Sequence, residues 1–427
     1  GLHGGETASP GAGPPARPAC APVWADPARA RAFQAWLARE APAQALNPAS
    51  VRSASADASF RRYFRVDRAD GTGSLIIMDA PPAQENCAPF VQVAGLMADA
   101  GLNVPRILAW DEPQGFMLMS DLGAQTMMEV IDRENPGANL PLYRQALDAL
   151  IAWQQASRPG VLPPYDETLL RRELALFPDW YLTRHKGVAV EGRTRETLDK
   201  TFDLIVARNL AAPSVYVHRD FMPRNLMAPT LPAARGSLAW QAAEPSEPAP
   251  LRAVQASAGV PGAAALSPEG AVPPLGGPAA GRLALSSGLG VLDFQDAVYG
   301  PVTYDIASLM RDAFLSWDED FVLDVTVRYW EQARKAGLMD FEDWHSDFGA
   351  FYRAVEWMGL QRHLKVAGIF ARLTLRDGKP RYLADAPRFI GYIRATASRY
   401  RELTPLLRLI DEVEGIQAVS GYAFGRI

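Results

Sequence analysis

Lysine is scarce in this 427-residue chain. Five of its 43 basic residues are lysine, and the first is Lys186, so any fixed side-chain cation needed earlier must be an arginine. Cysteine is scarcer still. Cys20 and Cys87 are too few and too far apart for a disulfide framework or a thiolate zinc site, which fits a reducing cytoplasm. No run approaches the roughly 18 consecutive apolar residues that would span a bilayer, and the first 20 residues have no apolar signal core. Neither membrane insertion nor export is expected. A net charge of −5, from 43 basic and 48 acidic residues, gives no support for nucleic acid or an acidic membrane as partner.

What is present is an ordinary soluble composition, 48% hydrophobic and 21% charged, on a chain long enough for two lobes. Residues 1–27 are rich in Ala, Pro and Gly and read as a disordered tail. Residues 28–46 place Ala30, Phe33, Trp36 and Leu37 on one helical stripe. Two strand pairs follow, 59–66 with 75–78 and 105–110 with 116–119, separated by a short helix over 86–100. Beyond residue 120 the pattern turns amphipathic and helical, near 141–157, 167–184, 193–211 and most of 303–415. This predicts an α+β fold, with a small antiparallel-sheet lobe over 28–120 and a larger helical lobe over 121–427. Within the second lobe, 34 of the 50 residues from 241 to 290 are Ala, Pro, Gly or Ser. Such a stretch buries too little apolar surface to offset its ordering entropy, so 228–290 reads as a low-complexity insertion.

The chemistry concentrates on both sides of that insertion. Val215-Tyr216-Val217-His218-Arg219-Asp220 runs on to Asn225, and Val291-Leu292-Asp293-Phe294-Gln295-Asp296 follows downstream. Each is an apolar strand delivering polar groups at its end. Phosphoryl transfer needs a group that orients the attacking hydroxyl, and oxygen ligands that hold magnesium against nucleotide phosphates. Asp220 suits the first role; Asn225 and Asp293 suit the second. Either motif alone is equally well a turn cap; the pair, in this order behind a two-strand-pair lobe, is not. His218 reads as a brace for the loop, and Asp305 as a helix cap that also braces it.

These residues resemble the aminoglycoside phosphotransferase and choline kinase superfamily, with its protein-kinase-like fold. Residues 55–65, Met78-Asp79-Ala80-Pro81-Pro82, the 218–225 loop, 292–301, and Gln361-Arg362-His363-Leu364-Lys365 with 368–373 resemble most closely the bacterial anomeric sugar kinases of cell-wall recycling. The resemblance spans roughly residues 30–415, apart from the insertion. It implies an enzyme using ATP and Mg2+ to phosphorylate the C1 hydroxyl of N-acetylmuramate and N-acetylglucosamine in the cytoplasm, as a monomer. Asp220 would be the catalytic base, Asn225 and Asp293 the metal ligands, and Met119 to Asp121 the hinge beside adenine.

Two departures stand out. Kinases of this fold place a lysine on the third small-lobe strand, and here that strand reads Leu75-Ile76-Ile77-Met78-Asp79. Arg61 or Arg65, which share a strand face with Tyr63, would have to clamp the phosphates instead. The glycine-rich loop is also glycine-free, with Asp57 and Ser59 in its place. For the sugar, the candidates are Glu173, Trp180, Tyr181, Asp296, Arg311, Gln361, Arg362 and His363. The rival readings are an aminoglycoside or choline phosphotransferase, and a nucleotide-binding pseudokinase. Few acids accompany Arg362, His363, Lys365, Arg372 and Arg376, which suits an anionic or neutral acceptor better than a polycation.

Overall fold

A computed structural model describes residues 21–56, 60–229 and 288–416. The first 20 residues, Asp57, Ser59 and nearly all of the 228–290 stretch lie outside them. Helix α1 (Pro27–Gln44) begins where the Asp26 side chain accepts the Ala28 N–H. Phe33, Trp36 and Leu37, spaced three and one apart, form its buried stripe. That stripe packs on a five-stranded antiparallel sheet of β1 (Arg52–Ala56), β2 (Arg62–Asp67), β3 (Ser74–Asp79), β4 (Ile107–Asp111) and β5 (Phe116–Ser120), in the order β1-β2-β3-β5-β4. The strand period of two divides the side chains. Phe64, Val66, Leu75, Ile77, Phe116 and Leu118 face α1. Tyr63, Ile76, Met78, Met117 and Met119 join the main core, with α2 (Ala88–Asp99). Strand β1, small and polar (Arg-Ser-Ala-Ser-Ala), has no apolar alternation and was not expected.

The buried Asp79 carboxylate fastens α1 to the sheet. Arg29 donates to it at 2.8 and 2.6 Å and Arg62 at 3.1 and 2.9 Å. The strand that lacks the expected lysine thus ends in a carboxylate held by two arginines, on the face of the sheet that α1 covers.

Past the sheet come α3 (Met127–Val130), α4 (Leu140–Gln155) and α5 (Glu167–Leu176). The last continues without a break into a π-helical segment, Phe177–His185, where one amphipathic run was expected. Helix α6 (Gly192–Ala211) leads to four short strands, β6 (Ser214–Val217), β7 (Leu226–Met227), β8 (Gly290–Val291) and β9 (Val298–Pro301). β6 pairs antiparallel with β9, Val217 opposite Val298, and β7 with β8, Met227 opposite Gly290. These two pairs set segment 218–225 beside segment 292–297. The remainder is helical: α7 (Thr303–Met310), α8 (Glu319–Lys335), α9 (Phe348–Leu375), α10 (Ala386–Arg399) and α11 (Thr404–Glu414). No described helix is long and apolar enough to cross a membrane.

Helix α9 is buried along most of its length, and at Gly368 its backbone approaches the start of the π segment. A Cβ there would sit 2.3 Å from the Leu176 carbonyl oxygen and 2.4 Å from its carbon. Backbone atoms cannot swing aside as side-chain ends can. Gly368→Ala is therefore expected to lower the unfolding free energy in urea by roughly 1–3 kcal/mol. Gly391→Ala, at an exposed position of α10 with nothing within 4 Å of the added methyl, is the control and should stabilise by about 0.5–1 kcal/mol. Equal stability of both variants would show that α9 can shift.

Candidate active site

The site is built on a buried carboxylate. Asp305, in the first turn of α7, accepts the His218 N–H at 2.7 Å on one oxygen and the Arg219 N–H at 3.0 Å on the other. Arg219 has φ +83°, a left-handed conformation costly for a residue with a side chain. The two amide bonds hold it there. His218 Nδ1 accepts the Asp220 N–H at 3.1 Å, so its Nε2 carries the proton and donates to the Leu292 carbonyl at 2.8 Å. One imidazole therefore ties Asp220 to the residue preceding Asp293. Both bracing roles expected of His218 and Asp305 are visible here, although Asp305 holds the neighbouring loop's amides and not those of its own helix.

Asn225 Nδ2 donates to the Asp220 carbonyl at 2.8 Å, which leaves its Oδ1 as an acceptor. The Leu292 N–H donates to the Asn225 carbonyl at 2.9 Å, locking the two segments edge to edge. Asp293, at φ +57°, is a second left-handed residue, and Gln295 Nε2 donates to its carboxylate at 2.7 Å. Burial and then the negative charge of Asp220 push the Asp293 carboxyl above its usual range. The guanidinium of Arg61, itself buried, reaches to 4.0 Å from the same carboxylate. Among the described residues no three acidic, histidine or cysteine side chains converge as a self-sufficient metal cage. One carboxylate and one amide oxygen instead fit a hard cation such as magnesium, which completes its shell with phosphate oxygens and water.

Other expected site residues are placed elsewhere or are already engaged. Arg65 lies on the same strand face as Arg61 but pairs with Asp121 at 2.7 Å and donates to the Gly123 carbonyl. Ser74 also donates to Asp121, at 2.6 Å. Burial would raise the Asp121 carboxyl, but the Arg65 and Ser74 hydrogen bonds hold it below its ordinary value. Arg65 thus buttresses the segment after β5; within β5 itself, Met119 is buried opposite Ile76. Ser59 lies outside the described residues.

Glu173 is buried. It receives Arg219 Nη2 at 2.6 Å, Lys365 at 3.2 Å and the Tyr165 hydroxyl. Burial opposes its charge, and Lys365 and Arg219 more than reverse that, holding it below the usual carboxylate range. Arg311 is taken up by Glu319 at 2.7 Å and by Tyr352. Arg311 and His363 line one cavity together with Glu356, Tyr392 and Arg399. Burial lowers the pKa of His363 to about 3, so it is neutral, with Nε2 against the Arg311 carbonyl. Trp180 carries Arg184 on its ring at 4.9 Å, Tyr181 donates to Glu414, and Gln361 donates to the Leu170 carbonyl. Asp296 is exposed. Of the residues expected to meet substrate, Glu173 is thus joined to the Asp220 loop, through Arg219.

A buried acid beside the loop went unnoticed in the sequence. Asp312 accepts the Phe314 N–H at 3.0 Å, while its second oxygen has no partner. Arg224 of the Asp220 loop lies over the Phe314 ring at 4.4 Å. The one available signal was its position directly after Arg311, at the end of α7.

Comparison with known proteins gives a consistent set of likenesses. The model of the phosphotransferase enzyme family matches residues 50–233 and 286–345. An N-acetylmuramate/N-acetylglucosamine kinase of Pseudomonas aeruginosa is 47% identical over 87% of this chain and 91% of its own. One of Pseudomonas putida is 43% identical over 86% and 88%. Among solved structures, an ethanolamine kinase of Plasmodium vivax is similar in fold, with a TM-score of 0.50 at 10% identity over 91% of this chain and 93% of that one.

Burial raises the Asp312 carboxyl to about 6, against an ordinary 3.8. The folded state therefore keeps a proton that the unfolded chain has lost, and this contribution to stability disappears as pH rises through 6. From pH 5 to pH 8 the loss amounts to about 1.4 kcal/mol. Asp312→Asn should remove it: the unfolding free energy of the variant relative to the parent rises by about that amount over this interval in urea titrations. A pH-independent difference would mean that Asp312 titrates normally.

Proposed function

Because the chain belongs to the phosphotransferase enzyme family, a protein-kinase-like fold of two lobes, we propose that it transfers the γ-phosphate of ATP to the anomeric C1 hydroxyl of N-acetylmuramate and N-acetylglucosamine. It acts on these free amino sugars as a cytoplasmic monomer in cell-wall salvage. The small lobe, residues 28–120, covers the nucleotide; the larger lobe, 121–427, supplies the reacting groups and the acceptor pocket. The observation that supports this reading is the His218 imidazole, which joins the Asp220 amide to the Leu292 carbonyl and so ties the segment of Asp220 and Asn225 to that of Asp293.

Each residue then has a chemical task. Asp220 orients the sugar hydroxyl and accepts its proton as the oxygen bonds to the γ-phosphorus and the β–γ bridge opens, releasing ADP. Asp293 and the Oδ1 of Asn225 would hold magnesium, which when bound neutralises phosphate charge and aligns the phosphates. Arg61, whose guanidinium already faces Asp293, takes the place of the absent small-lobe lysine; a planar fork suits two phosphate oxygens at once. Arg65 and Asp121, bound to each other, stiffen the hinge and do not meet phosphate.

The test is an ADP-release assay with Mg-ATP against N-acetylmuramate, N-acetylglucosamine, kanamycin and choline, with phosphorus NMR to locate the product phosphate. Turnover on the two amino sugars, with phosphate on C1, is expected. Asp220→Asn should lower kcat by roughly 10²–10⁴-fold and leave ATP affinity close to the parent value. Arg61→Met should raise the KM for ATP by about tenfold. Turnover on kanamycin or choline alone would overturn the acceptor assignment; an active Asp220→Asn enzyme would remove Asp220 from its role.

A further inference from the structure

Two cations share one carboxylate beside the reacting centre. Glu173 takes Arg219 on one oxygen at 2.6 Å and Lys365 on the same oxygen at 3.2 Å, while its other oxygen takes the Tyr165 hydroxyl. The group as a whole keeps one unit of positive charge, placed next to Asp220 in the chain. Its cations come from two separate elements, the Asp220 loop and α9, and the pair is not sealed: the Arg219 side chain is 20% exposed and that of Lys365 14%. Lys365 donates to the Tyr304 hydroxyl at 3.2 Å and pairs with Glu173, which occupies two of the three donor directions of an ammonium. Both cations also feel the charge of Asp220. One of the chain's five lysines therefore stands, partly exposed, where it feels the charge of Asp220.

The two sugars of the proposed reaction differ in one group. N-acetylmuramate carries an ether-linked lactyl carboxylate that N-acetylglucosamine lacks. An anionic sugar entering between Asp220 and a triphosphate meets repulsion from both, and a surplus cation within reach offsets it. Resting on the sugar-kinase reading above, we propose that Lys365, supported by Arg219, receives the lactyl carboxylate and thereby sets the relative use of the two acceptors. Glu173 holds the cations in place without cancelling both, and the Tyr304 hydroxyl fixes the direction of the ammonium.

The deciding quantity is the ratio of kcat/KM for N-acetylmuramate to that for N-acetylglucosamine, because damage to the fold or to Asp220 moves both sugars together. Lys365→Met is expected to lower this ratio at least about tenfold, and Lys365→Arg, which keeps the charge, to retain much of it. On the unmodified enzyme, raising the ionic strength from about 0.05 to 0.5 M should raise the KM for N-acetylmuramate more than that for N-acetylglucosamine, since salt screens the partly exposed pair. That salt series decides the matter if Lys365→Met does not fold. An unmoved ratio in the variant, or equal salt dependence of the two sugars in the parent enzyme, overturns the assignment of Lys365 alone. A parent enzyme that phosphorylates neither sugar overturns the sugar-kinase reading, and this inference with it.

Discussion

The arrangement of the large lobe depends on one buried carboxylate. Asp305 is fully buried, and its hydrogen-bond partners among the described residues are two main-chain N–H groups of the opposing loop. Burial drives its pKa upward, so leaving either oxygen without a donor would be expensive. The loop is consequently obliged to bring the His218 and Arg219 amides to it, and Arg219 reaches that position only in the left-handed region. Strain at one residue and satisfaction at another are the same constraint seen from two sides. From there the order propagates through hydrogen bonds: His218 to Leu292, Leu292 to Asn225, Asn225 to Asp220.

Much of this was legible in the sequence, and the reasons differ from part to part. The apolar runs 215–217 and 291–292, each ending in polar groups, marked where strands deliver chemistry, because strand length and polarity are local properties. The stripe Phe33, Trp36, Leu37 marked α1 for the same reason. Strand β1 escaped notice because Arg-Ser-Ala-Ser-Ala has no apolar period; its pairing with β2 is dictated by the neighbour and not by its own side chains. The alternation of Arg61, Tyr63 and Arg65 was readable, but not which face lay inward, since that depends on α1 covering the other side. Ion-pair partners were the least legible. Nothing local tells that Arg65 meets Asp121, 56 residues on, or that Glu173 gathers Arg219 and Lys365.

The scarcity of lysine acquires a structural meaning in this setting. Where the fold calls for a cation on the small-lobe strand, the chain has Met78 and Asp79, and Asp79 is used to bind Arg29 and Arg62. On the reading proposed above, the charge that would have stood there is supplied by Arg61, just before β2, whose guanidinium lies 4.0 Å from the Asp293 carboxylate. An arginine in that place cannot lose its proton and presents several fixed donors, so its geometry is set more tightly by its surroundings than a lysine's would be. On the large-lobe side the situation is reversed, with Lys365 standing among arginines and tyrosines where a compact, mobile ammonium fits.

The pairing of Met227 with Gly290 carries a consequence for how this chain can change. The two strand ends lie side by side, with Asn225 directly before β7 and Asp293 two residues after the end of β8. Closing a loop costs entropy that grows only with the logarithm of its length, so some 60 residues in place of four add about 2 kcal/mol. The β7–β8 pair therefore acts as a clasp that fixes Asn225 and Asp293 side by side whatever the length of chain between them. A lineage can lengthen, shorten or rewrite that span, and an engineer can replace it with a tight turn or a whole domain, without Asn225 and Asp293 changing places.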